Sequence, residues 1–173
     1  MNGLGLLSRL FSNKKAQVPK VKERTPLNIQ VGDIVNYELV DYEVVGKITY
    51  REHAYEWFGY QLLEGRSTIW LSAEMDDELE LGIYRTIKLP VSQPFPSKLE
   101  YEGNAFHKDS GGQARVVGEG RSSNVNGQMI QYADYISEDE KEYLSVEAWG
   151  SDTEVSLGHD IEPYDIKIIA GSH

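Results

Sequence analysis

The pentapeptide Trp70-Leu71-Ser72-Ala73-Glu74 returns 73 residues later as Tyr143-Leu144-Ser145-Val146-Glu147, keeping its order of aromatic, leucine, serine, small apolar residue and glutamate. Val45-Gly46 is answered by Val117-Gly118, and Tyr60 by Tyr132, both at an offset of 72 residues. A binary pattern kept at so constant an offset is better explained by one unit written twice than by chance. Alternation identifies the unit. Successive strand residues point to opposite faces, so Ile69, Leu71 and Ala73 make one face and Trp70, Ser72 and Glu74 the other. Leu144, Val146 and Ala148 repeat the first face, and Tyr143, Ser145 and Glu147 the second.

The flanking sequence predicts short strands at roughly ten-residue spacing with turn residues between them, which indicates a meander. Strands are expected over Leu27–Val31, Ile34–Leu39, Tyr42–Tyr50 with Gly46 as a bulge, Tyr55–Leu63, Thr68–Glu74 and Ile83–Leu89. Asp76-Asp77-Glu78 forms an acidic bend. Pro94 and Pro96 mark the joint. Lys98–Tyr101 then restarts the pattern, Asn126-Gly127 signals a type I′ hairpin, and Asp152–Glu154 repeats the acidic bend. Ser137 with Glu140 matches a capping box, although the repeat favours a hairpin tip there. Tyr164–Ile169 closes the second set. The fold expected is mainly β: two similar antiparallel meander halves, as small barrels or a duplicated sandwich, over residues 27–91 and 97–169. Tyr at 11, Gly at 16 and Pro at only 6 suit strands and turns better than a helical bundle.

Residues 1–26 read as a basic tail and linker. Leu4, Leu7, Leu10 and Phe11 fall near one side of a short amphipathic helix, with Arg9 opposite and Lys14 and Lys15 following. Gly3 and Gly5 each cost such a helix about 1 kcal/mol. Three readings stay open for the tail: an interfacial anchor on anionic lipid, docking onto the protein's own body or a partner, and disorder. Residues 1–24 hold six Lys or Arg against Glu23, while the whole chain carries −11, so a basic tail precedes an acidic body. That body disfavours nucleic acid, whose phosphates are gripped by clustered Lys and Arg. No apolar run reaches the roughly 20 residues of a membrane-spanning helix, and the order of charge and apolar residues is wrong for a secretory signal. Absence of Cys removes disulfides, thiol nucleophiles and thiolate metal sites, and a cytoplasmic address, with membrane association through the tail, fits it.

No reaction is named by the sequence. It lacks a G-x-S-x-G elbow and a P-loop, Gly118-Glu119-Gly120 lacks the third glycine of a dinucleotide site, and His53, His107, His159 and His173 are scattered. No cofactor, metal site or catalytic residue is therefore assigned. The leading expectation is a non-catalytic adaptor that meets a protein partner through Trp70, Ser72, Glu74, Tyr143, Ser145 and Glu147, since aromatics are enriched at binding surfaces. The rival is a small-molecule or carbohydrate enzyme using Glu74 and Glu147 as paired carboxylates.

Val31-Gly32-Asp33-Ile34-Val35, Tyr42 to Ile48, Trp57 and the Trp70–Glu74 strand together resemble an uncharacterised bacterial family, domain of unknown function 4178. The resemblance covers most of the folded body and implies no cofactor or catalytic residue. Members tend to be encoded near envelope-stress proteins of the phage-shock type, which implies an accessory role close to the membrane.

Overall fold

The computed structural model describes residues 22–172. Its strands are β1 (Ile34–Tyr37), β2 (Val40–Glu52), β3 (Tyr55–Glu64), β4 (Ser67–Met75), β5 (Leu79–Ile87), β6 (Lys98–Tyr101), β7 (Asn104–Gly120), β8 (Met129–Ser137), β9 (Tyr143–Trp149), β10 (Asp152–Ile161) and β11 (Ile166–Ile169). All pair antiparallel, in the order β11-β1-β2-β3-β4-β5-β10-β9-β8-β7-β6, and a further pairing of β2 with β7 closes the eight strands between them into a barrel.

The two longest strands make that closure possible. The start of β2 pairs with β1 and its later part, Gly46–Arg51, pairs with β7. Likewise β7 pairs with β6 at Asn104–His107 and with β2 at Arg115–Gly120. Each long strand bends between its two partners at a bulge, after Val44 in β2 and after Lys108 in β7, because an extra residue locally increases twist and redirects the strand. Two-residue turns lead into both: Glu38-Leu39 with φ of 50° and 65°, and Glu102-Gly103 with φ of 48° and 80°.

Two of the apolar clusters among the described residues lie outside the barrel wall, and a third lies inside it where β2 meets β7. Leu71 and Ala73 pack with Tyr60, Leu62, Leu81 and Ile83, and are covered by Ile29, Val35, Tyr37, Ile166 and Ile168. Leu144 and Val146 pack with Ala133, Tyr135 and Val155 beneath Leu89, Val91, Phe95 and Leu99. Leu71 and Leu144 are both fully buried. Each cover is fastened by a tyrosine of the wall: the Tyr60 hydroxyl donates to the Pro26 carbonyl at 2.8 Å, and that of Tyr135 to the Pro96 carbonyl at 2.7 Å.

Several expectations change. The halves form neither two small barrels nor a sandwich, because β2–β7 and β5–β10 join strands of residues 27–91 to strands of 97–169. Leu27–Val31 is turn rather than strand: Asn28 Oδ1 accepts from the Thr25 backbone N–H at 2.6 Å and Asp33 from that of Gln30 at 2.8 Å, local bonds that compete with a ladder. Asn126-Gly127 makes a type II turn, with Asn126 at φ −55° and ψ 130° and only Gly127 left-handed at 83°. The counterpart of Tyr60 in register is Tyr135, since Tyr60 pairs with Leu71 and Tyr135 with Leu144. Ser137–Glu142 is a hairpin tip, and the turn before β10 falls at Gly150-Ser151, one step ahead of the acidic residues. The expected N-terminal helix lies outside the described residues.

Candidate functional site

Trp70, Ser72, Glu74, Tyr143, Ser145 and Glu147 do not face outward. They line a cavity of about 490 Å³ bounded by the inner faces of the barrel strands. The alternation that buries Leu71 and Leu144 outside the wall sends their neighbours into the lumen, so both stripes meet in one space. Leu4, Leu7, Arg9, Leu10, Phe11, Lys14 and Lys15 lie outside the described residues.

Cross-strand register arranges this inner wall in rows. Across β3, β4 and β5 run Trp57, Glu74 and Glu80; across β8, β9 and β10 run Tyr132, Glu147 and Glu154. Each row is an aromatic followed by two glutamates placed directly opposite one another. A third row crosses the β5–β10 seam as Trp70, Tyr84, Gly158 and Tyr143. A Cβ at Gly158 would collide with the Tyr84 ring, so that glycine makes the room in which the ring lies flat against the wall. Where β2 meets β7 the lumen is filled by Ile48, Tyr50, Ala114, Val116 and Ile130, with Trp57, Trp70, Tyr132 and Trp149 packed on them. Tyr50 stacks on Trp57 at 5.3 Å with planes 2° apart, and Trp57 meets Tyr132 edge-on at 5.4 Å.

The lumen is strongly acidic. Glu74, Glu78, Glu80, Asp109, Asp134, Glu147, Glu154, Asp160 and Glu162 line it, and no Lys, Arg or His among the described residues does. Three of these carboxylates accept from phenols: Tyr50 donates to Glu147, Tyr55 to Glu74 at 3.0 Å and Tyr143 to Asp160 at 2.8 Å. Desolvation pushes Glu147 up to about 7, with Glu154 and Asp134 adding repulsion against the opposing help of Tyr50 and Trp149. The Trp149 Nε1–H is buried without a hydrogen bond of ordinary geometry. Burial raises Asp134 to about 6. Glu80 is raised by its hydrogen bond with Glu74, then by burial and by the Glu74 charge.

A second hollow, of about 520 Å³, lies by Pro94, Phe95 and β7. Its charged groups are Lys108 and Asp109, and it touches none of the six stripe residues. Among the described residues no three His, Cys, Asp or Glu gather where they could hold a metal ion, and no helix is long and apolar enough to cross a membrane.

Comparison with known proteins decides the family. The family model described as domain of unknown function (DUF4178) matches residues 30–163. The chain belongs to this family. Relatives in Mycobacterium bovis and Mycobacterium tuberculosis, each called an uncharacterized protein, are 30% identical over 143 residues, covering 79% of this chain and 69% of theirs. No solved structure matches. The DUF4178 match takes in every strand of the barrel, and therefore every residue of the lumen.

Sequence reasoning missed the inward residues of the neighbouring strands: Glu80, Tyr84, Asp134, Glu154 and Asp160. Alternation places Glu80 and Tyr84 on one face of β5, and Glu154, Ser156 and Asp160 on one face of β10. Only the long-range β5–β10 pairing sets these faces side by side on the inner wall.

Proposed function

We propose that this DUF4178 protein is a non-catalytic binding module that holds a small ligand inside its barrel. The observation that carries this reading is the convergence of Trp70, Ser72, Glu74, Tyr143, Ser145 and Glu147 on a single 490 Å³ cavity. Eight strands enclose a lumen that side chains can fill or that can hold one small molecule, and here part of it stays open. Native mass spectrometry of the full chain purified from its host tests this. A non-covalent adduct is expected on the wild type and is expected to be lost when Ser145→Trp fills the cavity. An adduct retained by a folded Ser145→Trp chain contradicts a luminal ligand.

The catalytic alternative draws on one further observation: Glu74 and Glu147 share this cavity and Glu147 is raised to about 7, a value suited to proton transfer. Against it, each glutamate already sits opposite a second one and under a tyrosine hydroxyl. Turnover of a chromogenic substrate panel, abolished by Glu147→Gln, would favour the enzyme.

Residues 27–91 and 97–169 are read as descendants of one duplicated module. Support comes from the matched rows of aromatic and paired glutamates, the Tyr60–Pro26 and Tyr135–Pro96 bonds, and the equivalent pairing of Leu71 and Leu144. The accessory role at the cytoplasmic face of the membrane rests on Leu4, Leu7, Leu10 and Phe11 beside Arg9, Lys14 and Lys15. Co-sedimentation with anionic vesicles that is lost in a chain starting at Thr25 is the expected result.

A further inference from the structure

We infer that the ligand of the lumen is an aliphatic diamine or polyamine, an organic cation carrying two or more separated positive charges. This rests on the reading of the lumen as the binding site, and three features of the wall support it.

The first is the sign of the charge and its placement. Like charges directly opposite on an antiparallel pair destabilise a sheet, yet the wall does this twice, at Glu74 with Glu80 and at Glu147 with Glu154. No cationic side chain among the described residues lines the cavity to offset them. The second is separation. The two glutamate pairs belong to different meanders, β4–β5 and β9–β10, and the aromatic band of Trp70, Tyr84 and Tyr143 crosses the seam beside them. A ligand with one charge satisfies one pair, whereas a chain with an ammonium at each end satisfies both and lays its methylenes along the aromatic band.

The third is the wall itself. All three tryptophans of the chain and Tyr50, Tyr84 and Tyr143 line the cavity, and aromatic faces attract ammonium ions as well as alkyl chains. A bare metal ion would use none of this surface.

Spermidine is the probe, titrated into the full chain at pH 8 by calorimetry and by tryptophan fluorescence, with calcium chloride and tetramethylammonium as comparators. Saturable binding of one spermidine is expected, at least tenfold tighter than tetramethylammonium. Near-isosteric Glu74→Gln and Glu147→Gln should each weaken it about tenfold or more, while the surface change Glu138→Gln leaves it unchanged. Equal weakening by Glu138→Gln, or tighter binding of calcium than of spermidine, overturns the proposal. The neutral dye N-phenylnaphthylamine separates the two levels of inference. Dye binding that Ser145→Trp abolishes but spermidine does not compete for rejects the polyamine and keeps the luminal site. Failure of both probes to bind in a manner sensitive to Ser145→Trp and to Ser72→Phe rejects both.

Discussion

The Tyr50 hydroxyl spans the lumen to Glu147, lying 3.1 Å from one carboxylate oxygen and 3.3 Å from the other, and joins β2 to β9. These strands are not neighbours in the sheet. The bond therefore braces the barrel across its interior, and it anchors the carboxylate on which luminal charge depends.

Glu147 makes stability depend on pH in a stated direction. Its carboxyl is raised from 4.5 to about 7, so the folded chain holds a proton that the unfolded chain releases. Stability from this group is complete below about 4.5 and declines as pH rises towards 7. The groups facing it are Tyr50 on β2, Tyr132 and Asp134 on β8, Trp149 on β9 and Glu154 on β10. Urea denaturation at pH 5 and pH 8 should show a smaller loss for Glu147→Gln than for the wild type.

Asp33 is a buried staple between the two ends of the described chain. It accepts from Arg24 Nε at 2.7 Å and from the backbone N–H groups of Gln30 and Gly171, each at 2.8 Å. Burial alone would raise its pKa, but these bonds and the Arg24 charge outweigh it and hold the carboxyl below its usual range. Asp33→Asn leaves the Arg24 charge without its carboxylate, and removing one partner of a buried pair costs about 3–5 kcal/mol. Chemical denaturation should read a loss of that order. The contribution of Asp33 is present above its unfolded pKa and vanishes as acid titrates the folded carboxylate.

Leu39 stands at φ 65° and is 97% exposed at the tip of the β1–β2 turn. A left-handed conformation costs a non-glycine residue roughly 1–2 kcal/mol. Leu39→Gly should therefore stabilise the chain by about 1 kcal/mol, read as a melting temperature a few degrees higher.

Gly158 is required by the Tyr84 ring that covers it. Gly158→Ala should cost about 1–3 kcal/mol, as overpacking usually does, and should change the fluorescence of Trp70, which pairs with Tyr84. Thermal melts and emission spectra of the variant check both parts.

Local rules made the walls legible and left the enclosure hidden. Alternation around Leu71 and Leu144 identified which side chains are core, and Gly46 marked a real irregularity in β2. In sequence the other face reads as a docking surface, because a strand with one apolar side ordinarily turns its polar side to solvent. Here the polar side faces its own counterpart, a consequence of pairing Gly46–Arg51 with Arg115–Gly120. That contact spans some 70 residues, and no local pattern encodes it. The Leu27–Val31 segment failed for the opposite reason: its apolar alternation was real, but Asn28 and Asp33 supply nearer hydrogen-bond partners than any strand.

The seam between β2 and β7 has a consequence for synthesis. A nascent chain that has emerged only as far as Ile87 owns four strands of the wall and none of the surface that seals them, so its acidic inner face stands open to water. The hoop tightens only when residues beyond Arg115 arrive, which makes assembly a late, long-range event and predicts slow folding for a protein of this size.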